Sequence, residues 1–215
     1  MDKKKNISMA VIKRLPKYYR YLQDLLNNEV ERISSKELGE KIGFTASQIR
    51  QDLNNFGDFG QQGYGYNVKD LYNQIGLILG LDKEYNGVIV GAGNIGQAIA
   101  NYSRFNQSGL KIEAIFDANP KVVGIRIRDI EIEDIDNLEK YLINNPTDIG
   151  IICVPSSSAQ NVADILVNNG AKGIWNFAPV DISVPEDVKV ENVHLSESLL
   201  TLIYLLHDKE EEIKA

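Results

Sequence analysis

The chain has 215 residues, 43% hydrophobic and 25% charged, which suits one large or two modest globular domains and excludes disorder from end to end. Its single cysteine, Cys153, leaves no internal disulfide, and with only two histidines, His194 and His207, a usual Cys/His zinc set is out of reach. The net charge of −7 conceals a split: residues 1–80 hold 12 Lys or Arg against 9 Asp or Glu, and residues 81–215 hold 11 against 21, so only the front half suits contact with a polyanion.

Ala10, Leu15, Tyr18, Leu22, Leu25 and Leu26 recur at spacings of three and four and predict a first helix over 9–28. Pro16 lies inside that span, and a proline is tolerated only in a first turn, so Met9 to Leu15 can be a separate arm. Ser34 or Ser35 caps a short helix over 36–41 that Gly43 ends, and Thr45 with Gln48 three residues on is a capping-box pattern for a third helix through about Asn55. This is helix-turn-helix order. Ile49 and Leu53 face the core of that third helix, leaving Ser47, Gln48, Arg50, Gln51 and Asn54 to hydrogen-bond base edges or phosphates. Gly57, Gly60, Gly63 and Gly65 interleave with Phe56, Phe59, Tyr64 and Tyr66, predicting a tight hairpin or wing with Gln61 and Gln62 at its tip. A helix over 68–79 completes a winged-helix domain over 1–80. Helix-turn-helix shapes also occur in modules that bind only protein, so at this point DNA and protein partners both stay open.

In the back half, an apolar strand over 85–90 runs into Gly91, Ala92, Gly93, Asn94, Ile95 and Gly96, followed by a helical stretch over 97–102. This is G-x-G-x-x-G between a strand and a helix, where Gly91 makes the tight turn, Gly93 lets the backbone approach a pyrophosphate and Gly96 lets the helix pack on the sheet. A second strand, 111–116, ends at Asp117, about 20 residues past the motif, where a carboxylate accepts hydrogen bonds from ribose hydroxyls and disfavours a 2′-phosphate. The expected cofactor is therefore NAD(H). Further strands over 122–128, 148–154 and 173–177, with helices over 135–142 and 158–168, complete a mostly parallel sheet over 81–193. Pro155 and the run Asn176, Phe177, Ala178 and Pro179 lie at strand exits, where ligands of such sheets bind, although the same run also reads as a structural turn. The acidic run from Glu131 to Asp136 reads as a solvated segment ahead of a helix.

No acid, base and nucleophile set appears: Ser156 to Ser158 have no assignable histidine. A dehydrogenase also needs a substrate domain, and here that place is taken by the winged helix, so the nucleotide is expected to be sensed and not consumed. Residues 195–206 are rich in leucine and predict a terminal helix, within 194–215, whose apolar surface is buried against the same chain or a partner; a homodimer is expected, which also lets two winged helices read a pseudo-palindrome. No basic opening leads into an apolar stretch of spanning length, so a cytoplasmic protein without membrane contact is expected.

Taken in order, Arg14-Leu15-Pro16, Ser34-Ser35, Ile49-Arg50 with Asp52-Leu53, Phe56-Gly57, Gly65-Tyr66, Leu79-Gly80-Leu81, Gly91 to Gly96, Phe116-Asp117, Ala159-Gln160 and Asn176 to Pro179 resemble the Rex family of redox-sensing repressors over nearly the whole chain. The resemblance implies an α/β protein with an N-terminal winged helix, a Rossmann-like NAD(H) domain and a terminal helix exchanged in a homodimer. It implies that NADH favours a closed arrangement and NAD+ permits binding to double-stranded operator DNA. It puts DNA contacts on Arg14, Ser47, Arg50 and the wing around Gln61 and Gln62, beside Gln48 and Gln51 of the helix face, and the nucleotide on the glycine loop and Asp117, beside Pro155 and Asn176 of the strand exits. Tyr102 falls near the nicotinamide as well as the dimer contact, with Phe105 and His194 at the dimer and switch region. Three residues depart from the family's usual pattern: Gln51 replaces a lysine, Gln62 an arginine and His194 an aspartate. Two other readings stay open: a nucleotide-binding relative that works through protein contacts, and a small NAD-dependent oxidoreductase.

Overall fold

The computed structural model describes residues 7–57, 59 and 64–214, so Gln61 and Gln62 lie outside the described residues. The chain forms two units, Met1–Lys83 and Glu84–Ala215.

In the front unit, α1 (Met9–Ile12) is a single turn, and α2 (Leu15–Asn27) starts afresh with Pro16 in its first turn. The span 9–28 is therefore two helices with Pro16 starting the second, as a separate arm before Pro16 implies, because a proline ring cannot follow a preceding helical turn without displacing its carbonyl. Strand β1 (Arg32–Ile33) leads into α3 (Ser35–Ile42), capped by a reciprocal box: Ser34 Oγ accepts from the Glu37 amide at 3.1 Å and Glu37 Oε2 from the Ser34 amide at 2.8 Å. Gly43, with φ of 78°, ends α3 in the left-handed region, and α4 (Ala46–Leu53) follows after a turn. Thr45 Oγ1 caps α4 through the Gln48 amide at 3.1 Å. The expected second arm of that box is not made, because the Gln48 side chain turns to Asp52. Strand β2 (Tyr66–Asn67) pairs antiparallel with β1, so the described part of the predicted wing closes on the segment before α3 and not on the stretch after α4. Helix α5 (Val68–Leu79) completes the unit. Leu15, Tyr18 and Leu22 of α2 meet Leu38, Ile49, Leu53, Leu71 and Ile75 in one core. Each large apolar side chain buried there stabilises by roughly 1.5–3 kcal/mol.

The back unit is a seven-stranded sheet in the order β5-β6-β4-β3-β7-β8-β9, formed by β3 (Tyr85–Val90), β4 (Leu110–Asp117), β5 (Arg126–Ile127), β6 (Ile130–Asp134), β7 (Ile149–Ile152), β8 (Gly173–Asn176) and β9 (Lys189–Asn192). All neighbours run parallel except β5 with β6. Val88 and Val90 enter the core on one face with Leu138, Val162 and Leu166, while Ile89 enters the other with Ile99, Ile115 and Ile151. A strand covered on both faces accounts for the unbroken apolar run. The faces are covered by α6 (Asn94–Asn101), α7 (Leu138–Asn144) and α8 (Ser156–Asn168), and α9 (Leu195–Lys214) ends the chain.

Two expectations fail here. Val122 to Gly124 are not strand but turn, held by the Val122 and Val123 amides on the Asn119 carbonyl, and only Arg126–Ile127 pair, antiparallel, on β6. The acidic run is instead partly a sheet strand. Ile115, Phe116 and Asp117 pair with Ile132, Glu133 and Asp134, since Ile132 points into the core while the flanking acids stay at the more open face.

Candidate functional site

The glycine loop sits where β3 ends and α6 begins. Gly91 has φ of 99°, and a Cβ there would lie 2.5 Å from the Cys153 carbonyl oxygen; a Cβ on Gly96 would lie 1.9 Å from the Gly91 oxygen. Both glycines are demanded by the backbone itself. Gly93 is different: its φ is −72° and nothing lies within 4 Å of its Cβ position. No side chain caps α6, whose first amides, from Asn94, Ile95 and Gly96, follow this open space with the positive end of the helix dipole. Such a concavity of free amides suits a phosphate.

Asp117 closes the far side. Its Oδ2 accepts from the Ala92 amide at 2.6 Å and its Oδ1 from the Asn119 amide at 2.7 Å, so the carboxylate at the end of β4 is tied to the loop after β3. Gln97 Nε2 donates to the Ala92 carbonyl at 2.7 Å and holds the loop from the helix side. Pro155 precedes α8 at the neighbouring strand exit, exposed and with no side-chain cap on that helix either. Asn176 is fully buried, and its amide serves its own turn: Nδ2 donates to the Val180 carbonyl and to Asn192, and Oδ1 accepts from the Ala178 amide. The turn reading fits Asn176 better than a free ligand group.

Tyr102, at the C-terminus of α6 and half exposed, begins an aromatic row: its ring is 4.7 Å from Phe105, which is 5.4 Å from Trp175, which is 4.8 Å from Phe177. Trp175 was not singled out in the sequence. His194, just before α9, has Nε2 at 2.9 Å from Asp181 Oδ1, a partner thirteen residues back that no spacing suggested. On α9, Leu195, Leu199, Leu200, Leu202, Ile203 and Leu206 are each more than half exposed. Cys153 is partly buried behind the loop, and burial pushes its thiol up to about 12, far from a reactive thiolate.

On the front unit, Ile49 and Leu53 are buried, and Ser47, Arg50 and Gln51 of α4 are exposed. Arg50 also reaches Ser35 Oγ at 2.9 Å and ties the two helices of the motif. Arg14 and Gln48 are drawn inward. Arg14 Nε and Nη2 reach Asp52 Oδ2 and Oδ1 at 2.6 and 2.7 Å, and Gln48 Nε2 reaches Oδ1 at 2.9 Å. Burial pushes the Asp52 carboxyl up, but the donors from Arg14, Tyr18 and Gln48 outweigh it and hold the group below its ordinary value. Asp52 was overlooked as a site residue. A charge in the helical stripe Ile49, Asp52, Leu53 was the signal that could have found it.

A helix-turn-helix unit with polar side chains along its second helix, joined in one chain to a sheet ending in an anion cradle, makes a ligand-responsive DNA-binding regulator. The chain is 75% identical over 209 residues to the redox-sensing transcriptional repressor Rex of Clostridium botulinum (strain Alaska E43 / Type E3), covering 97% of this chain and 100% of that one. It belongs to the Rex family of redox-sensing transcriptional repressors, which are regulators and not enzymes. The Rex of Clostridium tetani is 72% identical, covering 98% of this chain and all of its own. Residues 6–54 match the family model for a putative DNA-binding protein N-terminus, and residues 82–180 match that for a CoA binding domain. Among solved structures, RSP in complex with beta-NADH superposes with a TM-score of 0.90 at 56% identity, covering 97% of this chain and 98% of that one. RSP in complex with beta-NAD+ and operator DNA gives 0.89 at 60% identity, covering 97% and 96%. Among the described residues, no helix is long and apolar enough to cross a membrane.

Proposed function

We propose that this chain is a homodimeric repressor that binds a pseudo-palindromic DNA operator in the cytoplasm and releases it when NADH occupies the back unit. The observation that carries the reading is the open space at Gly93, bounded by the uncapped N-terminus of α6 and the Asp117 carboxylate. Gly91 and Gly96 are glycine for internal reasons, whereas Gly93 has room that its own fold leaves unused, which fits a backbone approached by a pyrophosphate. In this reading the amides of Asn94, Ile95 and Gly96 receive the phosphates and Asp117 the adenosine ribose. Ala92 stays tied to Asp117, and Pro155 lines the next strand exit. Tyr102 and Phe105 belong to the nicotinamide end and the dimer contact, and His194 to the switch. The bound nucleotide supplies a nicotinamide ring in one of two redox states, and the protein's response is a difference in affinity between two arrangements of the chain.

The exposed apolar residues of α9 support pairing with a second copy, since a stripe of this size is normally covered. Two copies then offer Ser47, Arg50 and Gln51 to successive half-sites. The RSP complexes with NADH and with NAD+ plus operator DNA support the same assignment of ligands. The test is fluorescence anisotropy against labelled pseudo-palindromic DNA at fixed ionic strength, with NAD+, with NADH and with neither. Specific binding that NADH reverses is expected. Nucleotide binding without specific DNA binding in any state would overturn the repressor reading and favour a sensor that acts through protein contacts.

A further inference from the structure

Asp52 is the only fully buried carboxylate among the described residues, and its position on the recognition helix makes it unusual. Four hydrogen bonds converge on it: two from Arg14, one from the Tyr18 hydroxyl at 2.5 Å, and one from Gln48. Arg14 precedes α2, Tyr18 lies within α2, and Gln48 lies one turn back on α4, so one side chain ties the start of α2 to the last turn of α4. The Arg14 guanidinium also lies 5.7 Å from the centre of the Phe44 ring, and Lys17 Nζ lies 5.5 Å from it; Phe44 immediately precedes the Thr45 cap. The two ends of α4 are thus anchored to the same helix.

We infer that Asp52 is a positioning residue for operator recognition: it neutralises Arg14, which therefore makes no phosphate contact, and it orients the Gln48 amide on the face that α4 offers to DNA. This rests on the operator-binding reading above. Arg14 is only 19% exposed, with its planar fork matched to both carboxylate oxygens. Seen from a phosphate, the pair carries no net charge, and its rearrangement would strand a buried anion. A carboxylate only accepts, so Gln48 must turn Nε2 inward. That leaves its Oε1 and its second N–H side by side as a fixed acceptor and donor, the pair that N6 and N7 of adenine match.

The test uses the full-length chain with NAD+ and compares operator with scrambled DNA over a range of salt. Wild type must bind the operator and release it with NADH; failure there overturns the repressor reading itself. The informative variant is Arg14→Met with Asp52→Leu, which removes both charges together and so spares the fold an unpaired buried ion. Its salt slope should equal that of wild type, while operator preference over scrambled DNA falls by about tenfold or more as Gln48 loses its anchor. A slope reduced by about one would make Arg14 a phosphate contact and overturn the inference. So would an unchanged operator preference. Asp52→Asn gives an independent reading, because it frees the Arg14 cation: scrambled DNA should then bind more tightly with a slope steeper by about one, and a slope at or below wild type overturns the inference. Unchanged NADH affinity in each variant shows that the back unit is intact.

Discussion

Replacing Gly93 and Gly96 one at a time by alanine should separate the needs of the ligand from those of the fold. At Gly96 the new methyl would sit 1.9 Å from the Gly91 carbonyl oxygen, well over 1 Å inside an ordinary contact. The oxygen has little freedom to retreat, because the Gly91 amide is held at 2.7 Å by the Phe116 carbonyl in the middle of the sheet. Helix α6 must therefore lift from the sheet, and overpacking of this kind costs about 3 kcal/mol or more. That corresponds to a fall in Tm of roughly 10 °C for a unit of this size. At Gly93 the methyl meets nothing, and its φ of −72° is open to alanine. The loss of a preferred N-cap residue is offset by the lower entropy of the unfolded chain, leaving stability within about 0.5 kcal/mol of wild type. In the proposed reading the methyl occupies the path of the pyrophosphate, so NADH affinity should fall by about a hundredfold, close to 2.7 kcal/mol. Calorimetric titration with NADH, beside thermal melts of all three proteins, checks both halves. A Gly93→Ala protein that binds NADH like wild type, or a Gly96→Ala protein that melts with it, would refute the division of labour among the three glycines.

Acid should weaken the front unit through Asp52. Its lowered pKa contributes stability that is complete above the unfolded value of about 4 and is lost as pH falls through the folded value, so Asp52→Asn should flatten the acid limb of denaturation curves. Tyr18 acts at the other end: burial, then its bond to Asp52, raises its pKa, so its contribution is complete below about pH 10 and is lost only as pH rises through the higher folded value. Cys153, with its thiol pushed up to about 12, should react with iodoacetamide at pH 8 roughly a thousandfold more slowly in the native chain than in urea; equal rates would show an open thiol. If two copies pair through α9 as proposed, Leu202→Glu should weaken that dimer by about a hundredfold in sedimentation experiments, and an unchanged dimer would place the contact elsewhere.

Much of this molecule was legible in its sequence because its glycines, caps and apolar runs act locally. At Gly91 and Gly96 the loop could be read residue by residue, since each glycine answers a steric demand of the backbone, whereas Gly93 meets none within the chain. The strand Ile130–Asp134 was misread although its alternation of isoleucine and glutamate is the period of a strand, because four acids within six residues were weighed as solvation. Val122 and Val123 misled in the opposite sense: two β-branched residues suggested a strand where Asn119 starts a turn. What stayed hidden was pairing at long range. Asp52 meets Arg14 across 38 residues and His194 meets Asp181 across 13 that include β9, and neither pair leaves a periodic trace in the chain.

The two bonds that Asp117 makes to the amides of Ala92 and Asn119 also bear on ligand capture. A carboxylate already latched to the glycine loop has its orientation set before any nucleotide arrives, and each of its oxygens keeps a lone pair for a ribose hydroxyl. If the adenosine ribose docks there as proposed, it meets a surface with little ordering left to do, which keeps the entropic cost of that contact low and equal for both redox forms. In that reading, discrimination between them has to arise at the other end of the ligand, where the two nicotinamide forms differ.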